Sequence, residues 1–468
     1  MSHQELLGKE KIGKLLLKYS VPAIIGMLVN ALYNVVDRIF IGNIPGVGSL
    51  AITGVGVTLP ITTIILGFSM LVGVGATTTI SIRLGQGKRE EAEKVIGNAI
   101  TLSAIIAIVL TIIGLLFGEL ILSKFGASES TMQYAKDYIY IILIGNIFNM
   151  VAFALNNTIR GDGNPKLAAT IMIIGCLTNI VLDAVLIFVL NLGIQGAAIA
   201  TVISQLITAV IGLRYYVSGK SNLKFVKSSL KLDKSIVSKI LAIGAAPFAM
   251  QIAASLVQVI ANNVLRTYGT DMAIGAMATI SSVSLMCLMP IFGINQGAQP
   301  IIGFNYGAKQ IDRAQKAYKI SLIVATIILC VAFVLVQSFP ETIIGIFNKD
   351  PKFMDISVKG LRIYLLMLPI VGISITGSNY IQSIGEAKTA MFLSLLRQVI
   401  LLIPFILILP RLFNLGVNGV WIAQPLSDVI SSVITVAILV KTMRSTSSEK
   451  VENEDVEIDM VNRIKDIS

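Results

Sequence analysis

The chain has 468 residues, of which 55% are hydrophobic and only 13% charged, about half the charged fraction of a soluble domain. A net charge of +11 would suggest nucleic acid in a soluble protein. Here the basic residues gather in alternate loops between long apolar runs, so the excess reports membrane orientation and no nucleic-acid partner is expected. The single histidine, His3, lies in the N-terminal tail, and Cys176, Cys287 and Cys330 each fall inside apolar runs. His-based catalysis, a disulfide framework and a cysteine metal site are thereby excluded, and neither enzymatic activity nor a cofactor is expected.

Apolar runs recur at about 15–42, 51–82, 95–117, 138–159, 167–190, 197–216, 240–265, 272–303, 318–338, 361–382, 391–409 and 417–440. Each is long enough to cross a bilayer core as a helix, which takes about 20 residues, so an all-α integral membrane protein of twelve spans is predicted. The first run follows a basic tail, is too long for a signal-peptide core and has no clear cleavage motif, so it is expected to be retained as a membrane helix. Pro22, Pro60, Pro247 and Pro290 interrupt spans one, two, seven and eight, and such breaks are tolerated where neighbouring helices or a cavity satisfy the backbone. Pro22 is the candidate hinge.

Lys and Arg cluster at 9–18, 83–94, 160–166, 214–239, 309–319, 388 and from 441 onward. The positive-inside rule places these loops, and both termini, on the cytoplasmic side of a multi-pass membrane protein.

The halves repeat at an offset of about 222 residues. Gly85-Gln-Gly-Lys-Arg-Glu-Glu-Ala-Glu-Lys aligns with Gly307-Ala-Lys-Gln-Ile-Asp-Arg-Ala-Gln-Lys, Gly163-Asn-Pro-Lys with Gly385-Glu-Ala-Lys, and Asn191-Leu-Gly-Ile-Gln-Gly with Asn414-Leu-Gly-Val-Asn-Gly. A duplicated six-helix unit has the same orientation in both copies, related by an axis along the membrane normal, with a central cleft between pseudo-symmetric bundles. The expected division is an N-terminal lobe at 1–219, a cytoplasmic linker at 220–239, a C-terminal lobe at 240–440 and a polar cytoplasmic tail at 441–468.

Carboxylates inside a membrane are costly and mark ion pathways or bundle interiors. Asp37 lies in the outer half of the first span with Tyr33 one turn before it, and Asp183 lies in the fifth span with Asn179 one turn before it. Thr201 starts the sixth span near the same depth. Carboxylate, amide and hydroxyl oxygens suit a hard cation such as Na⁺, and two adjacent carboxylates can equally share a proton. Cross-helix hydrogen bonding, or headgroup pairing through Arg38, is the plainer alternative for each residue alone. The second half has Asn262 where the first has Asp37, so cation coupling is expected in the N-lobe only. Gln251, Asn262, Met286, Met289 and Arg397 are candidate cavity residues; packing, or for Arg397 an ion pair with Asp428, is the alternative.

The opening YSVPAIIGMLVNALYNVVDRIFIG, the LGQGKREEAEK loop with its repeat FNYGAKQIDRAQK, the RGDGNPK loop and NLGIQGAAIAT resemble the MATE (multidrug and toxic compound extrusion) family across nearly the whole chain. The likeness is greatest to the DinF-type branch, which includes MepA-like bacterial drug exporters. The resemblance implies a drug/cation antiporter of two lobes around a cleft open alternately to each side. It also implies an N-lobe cation cluster at Tyr33, Asp37, Asn179, Asp183 and Thr201. The NorM-like branch carries acidic residues in its C-lobe cavity; the seventh span here, FAMQIAASLVQVIANNVL, carries none.

The expected function is export of amphipathic, often cationic compounds in exchange for H⁺ or Na⁺, by a monomer embedded in the lipid bilayer. A lipid-linked oligosaccharide flippase of related architecture is the alternative, disfavoured because neither a strongly cationic cavity nor helices beyond twelve are evident.

Overall fold

A computed structural model describes residues 3–467 except 126, 269, 270, 348 and 349; the side chains at 3–5, 34, 49, 271, 413 and from 446 onward lie outside the description. The twelve expected spans form as α1 (Ile12–Gly42), α2 (Gly48–Gly85), α3 (Arg89–Lys124), α4 (Glu129–Gly161), α5 (Pro165–Asp183, continued as a π turn over Ala184–Val189), α6 (Gly193–Val217), α7 (Lys234–Tyr268), α8 (Asp271–Gly307), α9 (Ile311–Ser338), α10 (Pro351–Tyr364 and Leu368–Ser383), α11 (Ala387–Leu395, a π turn over Leu396–Leu402, then Ile403–Ile408) and α12 (Val417–Ile467). The halves of α10 meet at a 52° bend. There Leu365, Leu366 and Met367 form a turn, and Pro369 starts the second half because a ring without an N–H fits a first helical turn.

Several helices run past their apolar cores. α9 begins seven residues before its apolar run, because Asp312 and the basic residues after it form a polar first turn that hydropathy does not register. α1 passes unbroken through Pro22. The polar tail continues α12 as helix through Ile467. Outside the spans, the N-terminal helix His3–Lys9 precedes α1, and a short 3₁₀ turn, Lys227–Leu230, lies in the linker before α7.

The lobes pack as repeats of one plan. α1 packs on α5, α2 on α4 and α4 on α6 in the N-lobe, as α7 packs on α11, α8 on α10 and α10 on α12 in the C-lobe. Between lobes, α1 meets α8 and α2 meets α7, the same contact seen from either half. At the end carrying the basic loops a single apolar core runs through both lobes, including Leu15, Tyr19, Ile80, Ile240, Phe304 and Tyr380. At the opposite end there are two cores. One, around Ile41, Ile61, Leu143 and Ile187, belongs to the N-lobe; the other, around Leu265, Ile280, Leu361 and Trp421, belongs to the C-lobe. Among the described residues the two lobes share a buried core at one end of the molecule, with Ile24 of α1 also packing on the C-lobe core.

Small residues make that junction. Gly293 and Gly297 lie one turn apart on α8 and face Ile24 and Ser20, one turn apart on α1. A methyl on Gly293 would stand 2.7 Å from Ile24 Cα, and one on Gly297 2.6 Å from Ser20 Cα. Small residues spaced in this way let helix backbones meet inside a bilayer.

Candidate cation site

Asp37 lies one turn after Tyr33 within α1, and Asp183 ends the regular part of α5 where the π turn begins. A π turn adds a residue to the helical ladder and shifts the faces on either side of it. Both carboxyls are buried within the N-lobe, Asp183 completely, and lie within hydrogen-bonding reach of each other. Two carboxyls in such contact share a proton or hold a cation.

Asn179, also buried, links Asp183 to α6. With its amide nitrogen toward Asp183 it donates to Oδ2 at 2.9 Å, and its oxygen accepts from the Thr201 backbone N–H at 3.1 Å and from Thr201 Oγ1 at 3.3 Å. This orientation matches an ionised Asp183. The opposite placement would set the amide nitrogen against the Thr201 backbone N–H and the oxygen against acceptors only, so the first orientation is the one that satisfies both ends of the amide. The Tyr33 hydroxyl reaches Thr201 and lies near both carboxyls.

Asp37 Oδ1 and Asp183 Oδ1 are buried and accept no hydrogen bond from the protein. Orphaned carboxyl oxygens in an apolar bundle cost free energy that a proton or small cation relieves. The donor set therefore fits H⁺ and, through two carboxylates, an amide and a hydroxyl, a hard monovalent cation. Among the described residues no cluster of three or more His, Cys, Asp and Glu side chains occurs that could hold a metal ion.

All five residues of the sequence-expected cluster come together, and a sixth joins them. Tyr138 of α4 is buried, reaches Thr201, and faces Asp37, Asp183 and Tyr33. A tyrosine among Tyr134, Tyr138 and Tyr140 near the outer start of a span reads in the sequence as an interfacial anchor. Only the packing of α4 on α6 reveals its inward direction.

The candidate cavity residues separate into groups. Gln251 is half-buried on α7 and its Cβ lies against Gly67 of α2, so it stands at the lobe junction. Asn262 accepts from Gln258 one turn before it at 3.0 Å. Met286 is exposed and Met289 half-buried on the part of α8 away from the junction. Arg397 instead pairs with Asp428 at 3.2 Å inside the C-lobe, where Gln424 also donates to Asp428 at 3.0 and 3.1 Å. That guanidinium is committed to its own lobe.

Comparison with known proteins gives one consistent result. The MatE family model matches residues 22–185 and 246–408, one stretch in each lobe. The multidrug export protein MepA of Staphylococcus haemolyticus is 26% identical over 449 residues, covering 96% of this chain and 98% of its own; MepA of Staphylococcus aureus strain MRSA252 is 26% identical over 448 residues, covering 95% and 98%. Among solved structures, the MATE multidrug transporter DinF-BH, solved as a complex with a ligand, is 39% identical with a TM-score of 0.86, covering 93% of this chain and 96% of that one. An outward-facing MATE family transporter of the MOP superfamily has a TM-score of 0.89 at 23% identity, covering 96% and 99%.

Proposed function

Since the chain belongs to the MATE family of transporters, we propose that it is a bacterial multidrug exporter, driven by inward movement of H⁺ or Na⁺ through the N-lobe site. The carrying observation is the pair of orphaned carboxyl oxygens on Asp37 and Asp183, held in contact by two helices of one lobe and flanked by Tyr33, Tyr138, Asn179 and Thr201. Nearly full-length likeness to the MepA exporters and to the ligand-bound DinF-BH structure supports export of amphipathic, often cationic compounds.

With the basic loops in the cytoplasm, lobes sharing one core at that end and holding separate cores at the other describe an outward-facing state. A cation entering from outside then reaches Asp37 and Asp183 from the open side. Substrate and cation exchange when each favours a different state, since a ligand shifts an equilibrium only by its differential affinity. Pro22 sits between Ser20 and Ile24, the two α1 residues against Gly297 and Gly293, and serves as the point where α1 bends as that junction opens. Asp428 of the C-lobe is paired with Arg397 and is not the exchanging group in this reading. The transporter acts as a monomer in the inner membrane.

Proteoliposomes loaded with a fluorescent lipophilic cation test this reading. An imposed proton or sodium gradient, or one of them alone, should speed dye efflux well above the rate without a gradient. Dye movement indifferent to both gradients would overturn it.

A further inference from the structure

The cytoplasmic-side segments that lead into the two lobes each dock on the opposite lobe. The linker spans 218–233, shorter than the expected 220–239 because the helix of α7 already begins at Lys234; it leads into the C-lobe and is fastened to the N-lobe. Asn98 of α3 donates to Ser229 O at 3.0 Å and accepts from the Asp233 backbone N–H at 2.7 Å, and Thr101 donates to Leu230 O at 2.9 Å. Asp162, just past α4, accepts from the Asn222 and Leu223 backbone N–H groups at 3.0 and 2.8 Å and from the Tyr215 hydroxyl at 2.6 Å.

The N-terminal segment, which leads into the N-lobe, is fastened to the C-lobe. Arg313 of α9 donates through one nitrogen to Leu7 O at 3.1 Å and Glu10 O at 2.8 Å, and through Nε to Asn305 Oδ1 at 2.9 Å. Asn305, completely buried near the end of α8, donates to the same Leu7 carbonyl at 3.2 Å. The Leu7 side chain is buried in the core shared by both lobes, beside Phe304. A seven-residue helix does not persist alone; this one is held by a guanidinium on its last carbonyls, where a helix end favours a cation, and by one buried leucine.

The internal repeat makes this docking specific. Arg313 and Asn305 align with Glu91 and Arg83 of the first half, which form an ordinary ion pair with each other at 3.0 Å. The same structural position is closed on itself in the N-lobe and opened in the C-lobe to hold carbonyls of another segment.

We propose that the segment before α1 is a releasable latch, which holds the inner gate shut by docking its Leu7–Glu10 end on Asn305 and Arg313 of the C-lobe. The linker is joined covalently to both lobes; the N-terminal segment meets the C-lobe through non-covalent contacts, which can release. The proposal rests on the alternating-access reading above, and its test reads the gate directly, without transport. Hydrogen exchange is followed in nanodiscs over residues 71–79 and 240–247, where α2 meets α7 away from the latch. Deleting residues 2–10, or Arg313→Met, should speed exchange there at least threefold, and the two together should do no more than either. Glu91→Gln, which alters the equivalent N-lobe pair, should leave exchange unchanged. Unchanged exchange in the deletion and in Arg313→Met, or fully additive effects of the two, would overturn the latch; a shifted gate in a protein that fails to export would overturn the function and leave the latch standing.

Discussion

Gly297→Ala tests the glycine junction most sharply. Its new methyl would stand 2.6 Å from Ser20 Cα, about 0.8 Å inside the 3.4 Å at which ordinary contact begins, and the obstacle is backbone that no rotamer change removes. Overpacking of this kind costs about 1–3 kcal/mol. The cost falls only on the state in which α1 and α8 touch, so the closed inner gate should lose about 5- to 150-fold in population relative to the open one. Spin labels on cysteines at the exposed positions Lys88 and Lys388, one in each lobe at the basic-loop end, would read this by pulsed electron resonance in a background without Cys176, Cys287 and Cys330. A new, longer distance should appear in Gly297→Ala and be absent in Gly13→Ala, where a methyl has nothing within 4 Å. Identical distributions in the two variants would refute the assignment of this contact as the gate.

Tyr138→Phe removes the hydroxyl that α4 brings to the pocket of Asp37 and Asp183 and should weaken cation binding about fivefold, the order of one polar contact; isothermal titration would check it, and unchanged affinity would remove Tyr138 from the site. Breaking the C-lobe pair by Arg397→Leu leaves Asp428 buried and unpaired, which costs about 3–5 kcal/mol. The double variant Arg397→Leu/Asp428→Leu should recover most of the lost thermal stability while keeping gradient-driven efflux. Burial pushes the Asp162 carboxyl up to about 6, against the opposing hydrogen bonds from Tyr215 and the Asn222 and Leu223 amides and the charge of Arg89. A group whose folded pKa lies above its unfolded value contributes stability that is full below about pH 4 and lost as the pH rises through about 6. The melting temperature should therefore fall more steeply from pH 4.5 to 7 in the wild-type protein than in Asp162→Asn.

Much of this was open to reading in the chain itself, and the reasons are physical. Membrane spans must satisfy their backbones internally, so length and apolarity alone place twelve of them. Asp37 and Asp183 stand out because charge is costly in such helices, and a four-residue spacing attaches Tyr33 and Asn179 to them. Tyr138 and Arg313 do not stand out in the sequence: a tyrosine at a span end and an arginine in a polar first turn before an apolar run are commonplace, and only tertiary packing turns the one toward Asp37 and Asp183 and the other toward Leu7. The bend in α10 escaped because the apolar run at 361–382 crosses the turn at 365–367 without a change in hydropathy. Arg397 was visible as an intramembrane charge, but its commitment to Asp428 depends on how α11 lies on α12.

The central claim is that a cation moves through one shared N-lobe pocket and that this movement drives export. It is tested most directly by efflux of a lipophilic cationic dye from proteoliposomes containing Asp37→Asn or Asp183→Asn, with protein insertion matched to wild type. Each variant should abolish gradient-driven efflux while dye binding in detergent persists. Wild-type efflux rates in both variants under the same gradient would contradict the account.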